Sequence, residues 1–440
     1  MQTYRGSKRV AVRAERGVEV DEPDLAKMSV VKASRLLAVP CAPPKTKSLS
    51  LQLLVANAFI QQSAAGMFSL LPLGQRVISR LTAVIERELD GIGAQKVSMP
   101  FLGAKELWER TGSQSQPTAE EMVTDLVGSH SRPSKAAYPL LIYQTTDKFR
   151  DEMNPRFGLL RGRSFLMNDL YSFDLREEGA RETYSSVSDA YDRILRERLG
   201  LEVYKVRADS GVHGGTLSHE YHMKNGLEED AMEVCTSCDT YYKADEPSEE
   251  CCEGARRRRV SSIEVAHTFI LGTRYAEALN AWHGTTSEKL PLHMCCFGIG
   301  VTRLVAALIE ARTTVKEPRI HLPTAIQPFD AVVIPSKSLA SSPLVGEMAD
   351  ALLEQLATRE NPNPSVLIDD RLDLSIGRRV QAAQAIGQSR VVVLGKETEK
   401  TRDTTPLYEL WTAAPERSEK LQQRGTFDLP QTVQRLAASV

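Results

Sequence analysis

Apolar residues recur every three or four positions across residues 77–89, a spacing that predicts an amphipathic helix. Its apolar positions are Val77, Ile78, Leu81, Val84, Ile85 and Leu89. Residues 95–100 then read as a short strand that stops at a proline. A second helix is predicted to begin near Thr118, with Glu120 and Glu121 in its first turn, where carboxylates are favourable.

The middle of the chain has the pattern of buried strands joined by charged turns. Residues 140–150 and 163–173 are predicted to form two strands with an arginine-rich loop between them. A helix follows, with one apolar face made by Tyr184, Val187, Ala190, Tyr191 and Leu195. Gly298 and Gly300 lead from an apolar strand into a helix over 301–310, and the polar stretch 224–262 is interpreted as an insert.

The C-terminal part of the chain, residues 326–440, has a different hydrophobic pattern and is called the tail below. Short, fully apolar runs at Val332–Ile334, Val366–Ile368 and Val391–Leu394 alternate with helical patterns. This alternation predicts a parallel sheet covered by helices, so the fold class is α/β. Pro323 and Pro328 indicate a linker before the tail. The sequence therefore predicts two domains, at 48–325 and 326–440.

Composition narrows the class of protein. The chain has 440 residues, of which 42% are hydrophobic and 25% charged, so most of it is expected to be globular. The formal net charge of −2 does not indicate a nucleic-acid binder and does not exclude a local basic face. No apolar run is long enough to predict a membrane span.

The N-terminal segment is basic and lacks acids between Met28 and Ile85. Its basic residues are Lys32, Arg35, Lys45, Lys47, Arg76 and Arg80. This composition is typical of a mitochondrial transit peptide, and a disordered basic tail is the alternative. We therefore predict a targeting or variable segment over 1–47, removed before about Ser48, and a location in the mitochondrial matrix.

The loop over 149–165 has the residues of a nucleotide-phosphate site. Arg150 and Arg161 offer planar donors suited to phosphate or carboxylate groups. Glu152 is able to accept hydrogen bonds from an amino group, and Phe165 is able to stack on a base. A solvated basic hairpin would explain the same residues if the loop stood alone.

Two other segments support this interpretation. The run from Phe297 to Arg303 places glycines before a helix, where they allow close approach of the backbone, and an arginine in its first turns. Residues 117–121 place the hydroxyl of Thr118 and the carboxylate of Glu120 at another helix start.

Four cysteines in the polar insert leave two interpretations open. Cys235 and Cys238 have the Cys-x-x-Cys spacing of a zinc knuckle, and Cys251 and Cys252 are adjacent. Adjacent cysteines rarely share one tetrahedral centre comfortably. We therefore predict a knuckle without a metal in preference to structural zinc.

Together these segments resemble the class II aminoacyl-tRNA synthetases. Residues 93–100, 149–165 and 298–303 resemble the three motifs of that class. More narrowly, the segments PTAEE, KFRDEMNPRFGLLRGRSF, SHEY, EVAHTFILGTRY and CCFGIGVTRL resemble prolyl-tRNA synthetases of the bacterial and mitochondrial type, without the editing insertion domain. The resemblance covers roughly residues 48–400.

The resemblance implies a homodimer that joins proline to tRNA(Pro) with ATP and Mg²⁺. It implies an antiparallel sheet in the catalytic domain and an anticodon-binding domain in the tail. Arg150, Glu152 and Arg303 would be catalytic, and Arg161 and Phe165 would also bind ATP. The residues implied for the proline pocket are Thr118, Glu120, His219, Glu220, His267 and Cys296.

One departure from the family pattern supports a second hypothesis. Only Ser113–Gln116 bridge a gap where the family has a longer stretch with strands beside the pocket. The alternative function is therefore a shortened, catalytically weak synthetase-like protein that binds RNA.

Overall fold

The structure is a computed structural model, and it describes residues 30–38, 41–111, 118–129, 134–208, 217–244, 252, 256–284, 288–316, 318–358, 361–413 and 420–438. The shortened segment 113–116 lies outside these residues. Two β-sheets organise the described chain, one of nine strands and one of six. None of the described helices is both long and apolar enough to cross a membrane.

The strands, in chain order, are β1 Val30–Lys32, β2 Ile60–Ala64, β3 Met67–Leu70, β4 Gln95–Lys96, β5 Leu140–Phe149, β6 Ser164–Asp174, β7 Tyr204–Ala208, β8 Leu217–Lys224, β9 Asp230–Cys235, β10 Tyr241–Lys243, β11 Arg257–Gly272, β12 Trp282–Gly284, β13 Lys289–Pro291, β14 His293–Gly300, β15 Ala331–Pro335, β16 Val366–Ile368, β17 Arg390–Leu394, β18 Tyr408–Thr412 and β19 Gln422–Phe427.

The α-helices are α1 Leu49–Ala56, α2 Pro72–Gly91, α3 Lys105–Thr111, α4 Glu120–Ser129, α5 Glu177–Asp192, α6 Arg274–Leu279, α7 Val301–Arg312, α8 Pro343–Leu356, α9 Ile376–Ala385, α10 Lys396–Thr401 and α11 Leu429–Ala437. A π-helical turn, Arg193–Arg198, continues α5.

The nine-stranded sheet has the order β4-β5-β6-β14-β11-β8-β7-β10-β9. Its central pairs are antiparallel, as the class resemblance implies, whereas β4–β5 and β7–β10 are parallel. The predicted strands at 140–150 and 163–173 are confirmed as β5 and β6. The predicted strand at 95–100 is shorter, because only Gln95–Lys96 pair with β5.

The long helix α2 packs its apolar stripe into the main core. All six predicted apolar positions are buried, and Pro72 occupies the first turn, where its missing N–H costs nothing. Helix α4 begins at Glu120, close to the predicted start. Val123 and Val127 of α4 are buried, whereas Leu126 is 40% exposed.

The polar stretch 224–262, interpreted from the sequence as an insert, is built largely of strands. Strands β9 and β10 and the first part of β11 lie within it, and β11 continues without interruption into the central sheet. The arginine run 256–259 therefore belongs to a strand that pairs with β9. Its outward side chains explain why the segment reads as polar.

The tail forms the six-stranded sheet, in the order β1-β16-β15-β17-β18-β19. The three predicted strands are parallel to one another, with α8 and α9 between them, as the alternation predicts. Strands β18 and β19 extend the sheet in antiparallel fashion.

Strand β1 lies within residues 1–47, predicted as a targeting or variable segment, and its pairing is a reason against removal of the chain as far as Ser48. Val30–Lys32 pair in parallel with Val366–Ile368 and thereby cover the edge of the tail sheet. Ser34 then donates from its backbone N–H and its hydroxyl to the carboxylate of Asp370, at 2.8 and 2.7 Å. This part of the basic stretch is therefore integral to the fold, since it satisfies the edge of a buried strand.

Candidate active site

A cavity of about 590 Å³ opens over the middle strands of the nine-stranded sheet. Its walls come from strands β6, β8, β9, β10, β11 and β14, from the turn between β5 and β6, and from the start of α4 and of α7. Ten of the predicted site residues line it: Thr118, Glu120, Arg150, Glu152, Arg161, Phe165, Glu220, His267, Cys296 and Arg303. Segments far apart in the sequence thus meet at one site.

The turn between β5 and β6 presents Arg150 to the cavity. The backbone N–H of Arg150 donates to the carbonyl of Arg163 at 2.8 Å, so the turn continues the strand pairing. The Arg150 guanidinium lies 5.2 Å from the centre of the Phe165 ring. The surrounding protein lowers its pKa by desolvation, but arginine remains charged. An arginine and an aromatic face therefore share one wall.

A network of charges holds the rest of this turn. Arg161 bonds to Glu152 at 3.0 Å and to Glu229 at 3.3 Å, and Arg156 bonds to Glu229 at 2.7 Å. The Glu229 side chain is fully buried. The hydrogen bond from Arg161 lowers the pKa of Glu152, which keeps that carboxylate ionised. The ion pairs of Arg156 and Arg161 with the buried Glu229 thus hold the β5–β6 turn in place.

Arg303 projects from the first turn of α7. Its guanidinium donates to the carbonyls of Leu160 and Glu264, at 2.7 and 3.1 Å. Two glycines precede this helix, Gly298 and Gly300, and both line the cavity without a side chain. A planar group has space to approach the backbone there, with a fixed positive charge beside it.

The other end of the cavity is acidic. Glu120 is 2% exposed and accepts hydrogen bonds from the Thr118 hydroxyl and from the Cys296 thiol. Burial and the neighbouring Glu120 raise the pKa of Cys296, so the sulfur stays protonated as a donor. Ala119 donates its N–H to the Tyr171 hydroxyl at 2.9 Å, which anchors this helix start to β6.

Two carboxylates and a histidine lie between these ends. The ligating atoms of Glu220, Glu264 and His267 are all within 4.8 Å of one another. Burial acts to raise the pKa of Glu264, but the hydrogen bond from His267 and the charges of His267 and Arg303 hold it well below its ordinary value. Phe269 stacks on the His267 ring, with centroids 3.9 Å apart.

His219 does not line this cavity, and its assignment to the proline pocket is wrong. Successive side chains of a strand point to opposite faces, so on β8 His219 is on the opposite face from Glu220. His219 instead bonds to the Tyr184 hydroxyl at 2.7 Å. Burial, followed by the charges of Lys205 and Arg207, lowers its pKa to about 4.

Four charged lining residues were missed by the sequence analysis: Asp169, Asp230, Lys243 and Glu264. Asp230 and Lys243 belong to the polar stretch 224–262, where charged residues are common and give no local sign of a site. Lys243 forms an ion pair with Glu220 at 2.8 Å. Glu264 stands three residues before His267 on β11, a spacing that gives no strong signal without the strand register.

Comparison with known proteins agrees with this site. Residues 114–312 match the family model described as tRNA synthetase class II core domain (G, H, P, S and T). The chain is 38% identical over 393 residues to a probable mitochondrial proline–tRNA ligase of Rattus norvegicus, covering 82% of this chain and 80% of the relative. It is 36% identical over 414 residues to the corresponding Homo sapiens protein, covering 88% and 85%. A proline–tRNA ligase of Agrobacterium fabrum is 33% identical over 405 residues, covering 80% and 89%.

Solved structures share the fold. Prolyl-tRNA synthetase of Cryptosporidium parvum, complexed with L-proline and AMP, superposes with a TM-score of 0.67 at 15% identity and covers 92% of this chain and 78% of that one. The Giardia lamblia enzyme in complex with prolyl-adenylate has a TM-score of 0.65 at 16% identity, with 87% and 73% covered. The fold and core domain define a class II tRNA synthetase. From the extent of identity to its relatives, the chain belongs to the proline–tRNA ligases.

Proposed function

We propose that this chain activates proline with ATP and transfers it to tRNA(Pro) in the mitochondrial matrix. The observation that carries the proposal is the single cavity with two chemically different ends. One end has fixed arginines and the Phe165 ring, which suit a nucleotide, and the other has the buried Glu120, which suits an ammonium group. Its volume of about 590 Å³ is in the range for small-molecule sites.

In the first step a proline carboxylate oxygen forms a bond to the α-phosphorus of ATP, and pyrophosphate leaves with the electron pair. Arg150 would hold the reacting phosphate and the carboxylate, because its planar donors match both groups. Arg303 would bind the nucleotide from α7, and Phe165 would stack on adenine. Glu152 would accept hydrogen bonds from the adenine amino group. No general base is needed, since the nucleophile is already an anion.

The resemblance also implies Mg²⁺, whose preferred ligands are oxygens. The ionised carboxylate of Glu264, beside Glu220, provides a fitting oxygen donor set inside the cavity. These two residues would hold the ion, which would offset charge on the phosphates. Arg303, already bonded to the backbone of Glu264, would hold the same region in place.

Proline is a secondary amine, and its ammonium group would be recognised by Glu120. The Thr118 hydroxyl and the Cys296 thiol already orient that carboxylate. His267 and the stacked Phe269 supply a flat wall that suits a pyrrolidine ring. The second step is attack by the 3′-terminal ribose hydroxyl of tRNA on the adenylate, with AMP as the leaving group.

The tail sheet is proposed as the anticodon-binding domain. The sequence offers three arginines as contacts for RNA, namely Arg371, Arg378 and Arg379, but they differ in how far their side chains are exposed to solvent. Arg379 is 2% exposed and donates to the carbonyl of Asp369 at 2.7 Å, so its role is in the fold. Arg378 is exposed at the start of α9 and is the better candidate for a contact with RNA.

A homodimer is the proposed assembly. Strand β4 is an outer strand of the nine-stranded sheet, and Phe101 and Leu102 soon after it are 63% and 79% exposed. Exposed apolar side chains beside a sheet edge favour burial against a second copy. Light scattering is expected to give the mass of two chains.

Two observations support import into mitochondria. Relatives from rat, human and fission yeast are described as mitochondrial. Residues 1–14 contain Arg5, Lys8, Arg9 and Arg13 and no acid, as is typical of the start of a transit peptide. Because β1 begins at Val30, we propose that processing ends upstream of that residue and not near Ser48.

Exchange of radiolabelled pyrophosphate into ATP tests the activation step. The purified chain, assayed with each of the twenty amino acids, is expected to respond to proline alone. Arg150→Ala is expected to lower exchange by at least about 10²-fold, as loss of a preorganised charge contact does. Arg258→Ala, which removes an exposed arginine on β11, is the matched control and should keep exchange within about twofold. Exchange within tenfold of the wild type in Arg150→Ala would refute the assigned role.

A further inference from the structure

Three cysteine sulfurs converge at the end of the sheet extension made by β9, β10 and β11. The Sγ atoms of Cys235, Cys238 and Cys252 all lie within 4.8 Å of one another. Cys235 is buried, Cys252 is partly exposed and Cys238 is exposed, so the cluster runs from the core to the surface. It lies outside the cavity described above.

The backbone around the first two cysteines forms a tight turn. The Ser237 N–H donates to the Cys235 sulfur at 3.4 Å, and the Thr240 hydroxyl lies 3.1 Å from the Cys238 sulfur. Asp239 adopts a φ of 55°. A donor directed at sulfur, as Ser237 N–H is at Cys235, disperses the charge of a thiolate, which is the form that binds metal.

The third cysteine is brought to this turn by the strand that follows it. Thr236 bonds through its N–H and its hydroxyl to the carbonyl of Arg256, both at 3.0 Å, at the start of β11. The ladder between β9 and β11 begins immediately beyond, with Cys235 opposite Arg257. These protein contacts alone therefore hold the turn after β9 against Arg256, the residue that precedes β11.

We propose that Cys235, Cys238 and Cys252 bind a structural zinc ion. A donor set of sulfur alone favours zinc over magnesium or calcium. In a tetrahedral site with Zn–S bonds of about 2.3 Å the sulfurs are about 3.8 Å apart, so the observed cluster needs only small shifts of side chains to close on an ion.

This inference revises the prediction of a knuckle without metal. That prediction rested on the adjacency of Cys251 and Cys252, which do not fit one centre together. The structure needs only Cys252 of that pair, while Cys251 lies outside the described residues. The described residues supply three ligands, and the fourth position of a tetrahedral ion remains for another group.

The ion would brace the nucleotide end of the cavity. Strand β9 starts at Asp230, next to Glu229, which bonds to Arg156 and Arg161 of the β5–β6 turn. Strand β10 ends at Lys243, which pairs with Glu220 in the cavity wall. An ion that fixes the turn between β9 and β10 would reduce the freedom of both contacts.

Metal analysis of the full chain, expressed with zinc and purified without chelator, tests the proposal. We expect roughly one zinc per chain in the wild type and in Cys41→Ser, a control that removes an exposed cysteine outside the cluster. Cys238→Ser, which alters the most exposed ligand, should lose at least about half of the zinc. Cobalt substitution should give the ligand-field bands of a tetrahedral thiolate site and lose them in Cys238→Ser.

Chelation supplies a readout that is independent of activity. Because an ion bound only to the folded state stabilises it, removal should lower the melting temperature of the wild type and of Cys41→Ser, with no change in a variant that holds no zinc. Absence of zinc from the wild type would overturn the proposal. A disulfide between two of the three cysteines, seen as a mass lower by two hydrogen atoms before reduction, would overturn it equally.

Discussion

Glu229 illustrates how a residue outside a cavity can control the groups inside it. Its carboxylate is fully buried and receives two arginines from the β5–β6 turn, Arg156 and Arg161. Arg161 in turn orients Glu152, the proposed adenine acceptor. Removal of this buried carboxylate would take one ion-pair partner from each arginine and would leave Arg161 with Glu152, which is costly for a buried contact.

We expect Glu229→Gln to raise the KM for ATP by about tenfold, because one charge-assisted contact is worth roughly 1.5–3 kcal/mol and part of it is lost. The KM for proline should change little, since Glu120 lies at the other end of the cavity. The neighbouring exposed Glu228 offers a matched control in Glu228→Gln. Equal rises of both constants in steady-state exchange would contradict this division.

His219 makes a separate prediction about stability. Its pKa is about 4 in the folded chain, against about 6.5 in an unfolded one. Between these values the unfolded chain binds more protons, so stability is fully present above about pH 6.5 and falls as the pH drops towards 4. The physical cause is that a half-buried imidazole beside Lys205 and Arg207 resists a positive charge.

His219→Gln should therefore flatten the loss of melting temperature between pH 7 and pH 5, measured by thermal denaturation. Tyr184→Phe, which removes the hydroxyl bonded to His219 but leaves the histidine in place, should keep a pH dependence. Identical slopes in the wild type and His219→Gln would show that other groups govern acid stability.

At the scale of elements, the sequence predicts those helices and strands whose hydrophobic pattern lies within one continuous segment. The helical stripe of α2 and the apolar runs of β15, β16 and β17 each reveal themselves through their own periodicity. Strand β1 has no such signal, because three residues in a basic stretch acquire their role from an edge formed far along the chain. The same is true of β9 and β10, whose charged residues face a cavity that their own segment does not define.

The residues of the site also divide into those with a local sequence signal and those placed only by long-range pairing. Motif-like residues, such as Arg150 and Arg303, were found from local chemistry and the family resemblance. Glu264 and Lys243 were missed because only strand register brings them to the cavity. For His219 the difficulty is the direction of its side chain. Adjacent residues on β8 point to opposite faces of the sheet, and the sequence does not show that Glu220, and not His219, faces the cavity.

Truncation tests the importance of β1. A chain that starts at Met28 should keep the wild-type melting temperature, whereas a chain that starts at Leu37 should unfold at a lower temperature and aggregate more readily. The reason is that β16 would lose its paired edge and Asp370 its two bonds from Ser34. Ser34→Ala, which removes one of those bonds, should cost about 0.5–1.5 kcal/mol of unfolding free energy. Equal melting temperatures for the two truncated chains would contradict the role of the strand.

At the scale of the whole molecule, α2 joins the two sheets. Arg80 on this helix forms an ion pair with Asp330, immediately before β15, and Asp330 also accepts the Ser365 N–H at 2.7 Å. Arg76, one turn earlier, donates to the carbonyl of Pro328 at 2.8 Å and lies over the Phe329 ring. The tail therefore contacts the main core through these polar links and through a continuous apolar cluster that includes Val77, Phe329 and Val332.

Arg80→Ala should lower the free energy of unfolding by about 3–5 kcal/mol, the usual cost of breaking a buried pair from one side. Chemical denaturation, with Arg87→Ala as an exposed control on the same helix, measures the difference. The double variant with Asp330→Asn should be less destabilised than the sum of the single changes, because the pair is then lost only once. Strict additivity would mean that the two side chains do not interact.

Strand β1 also sets an order of events during synthesis. Ser34 and its partner Asp370 are 336 positions apart, so the first described strand is made long before the edge that receives it. At about 5–20 residues per second, a ribosome takes roughly 20–70 s to produce the missing partner. Throughout this interval β1 emerges without its neighbour and the tail sheet does not yet exist. The pairing of β1 therefore has to wait until β16 has been synthesised, and a peptide with the sequence of β1, supplied in trans, should compete for that edge.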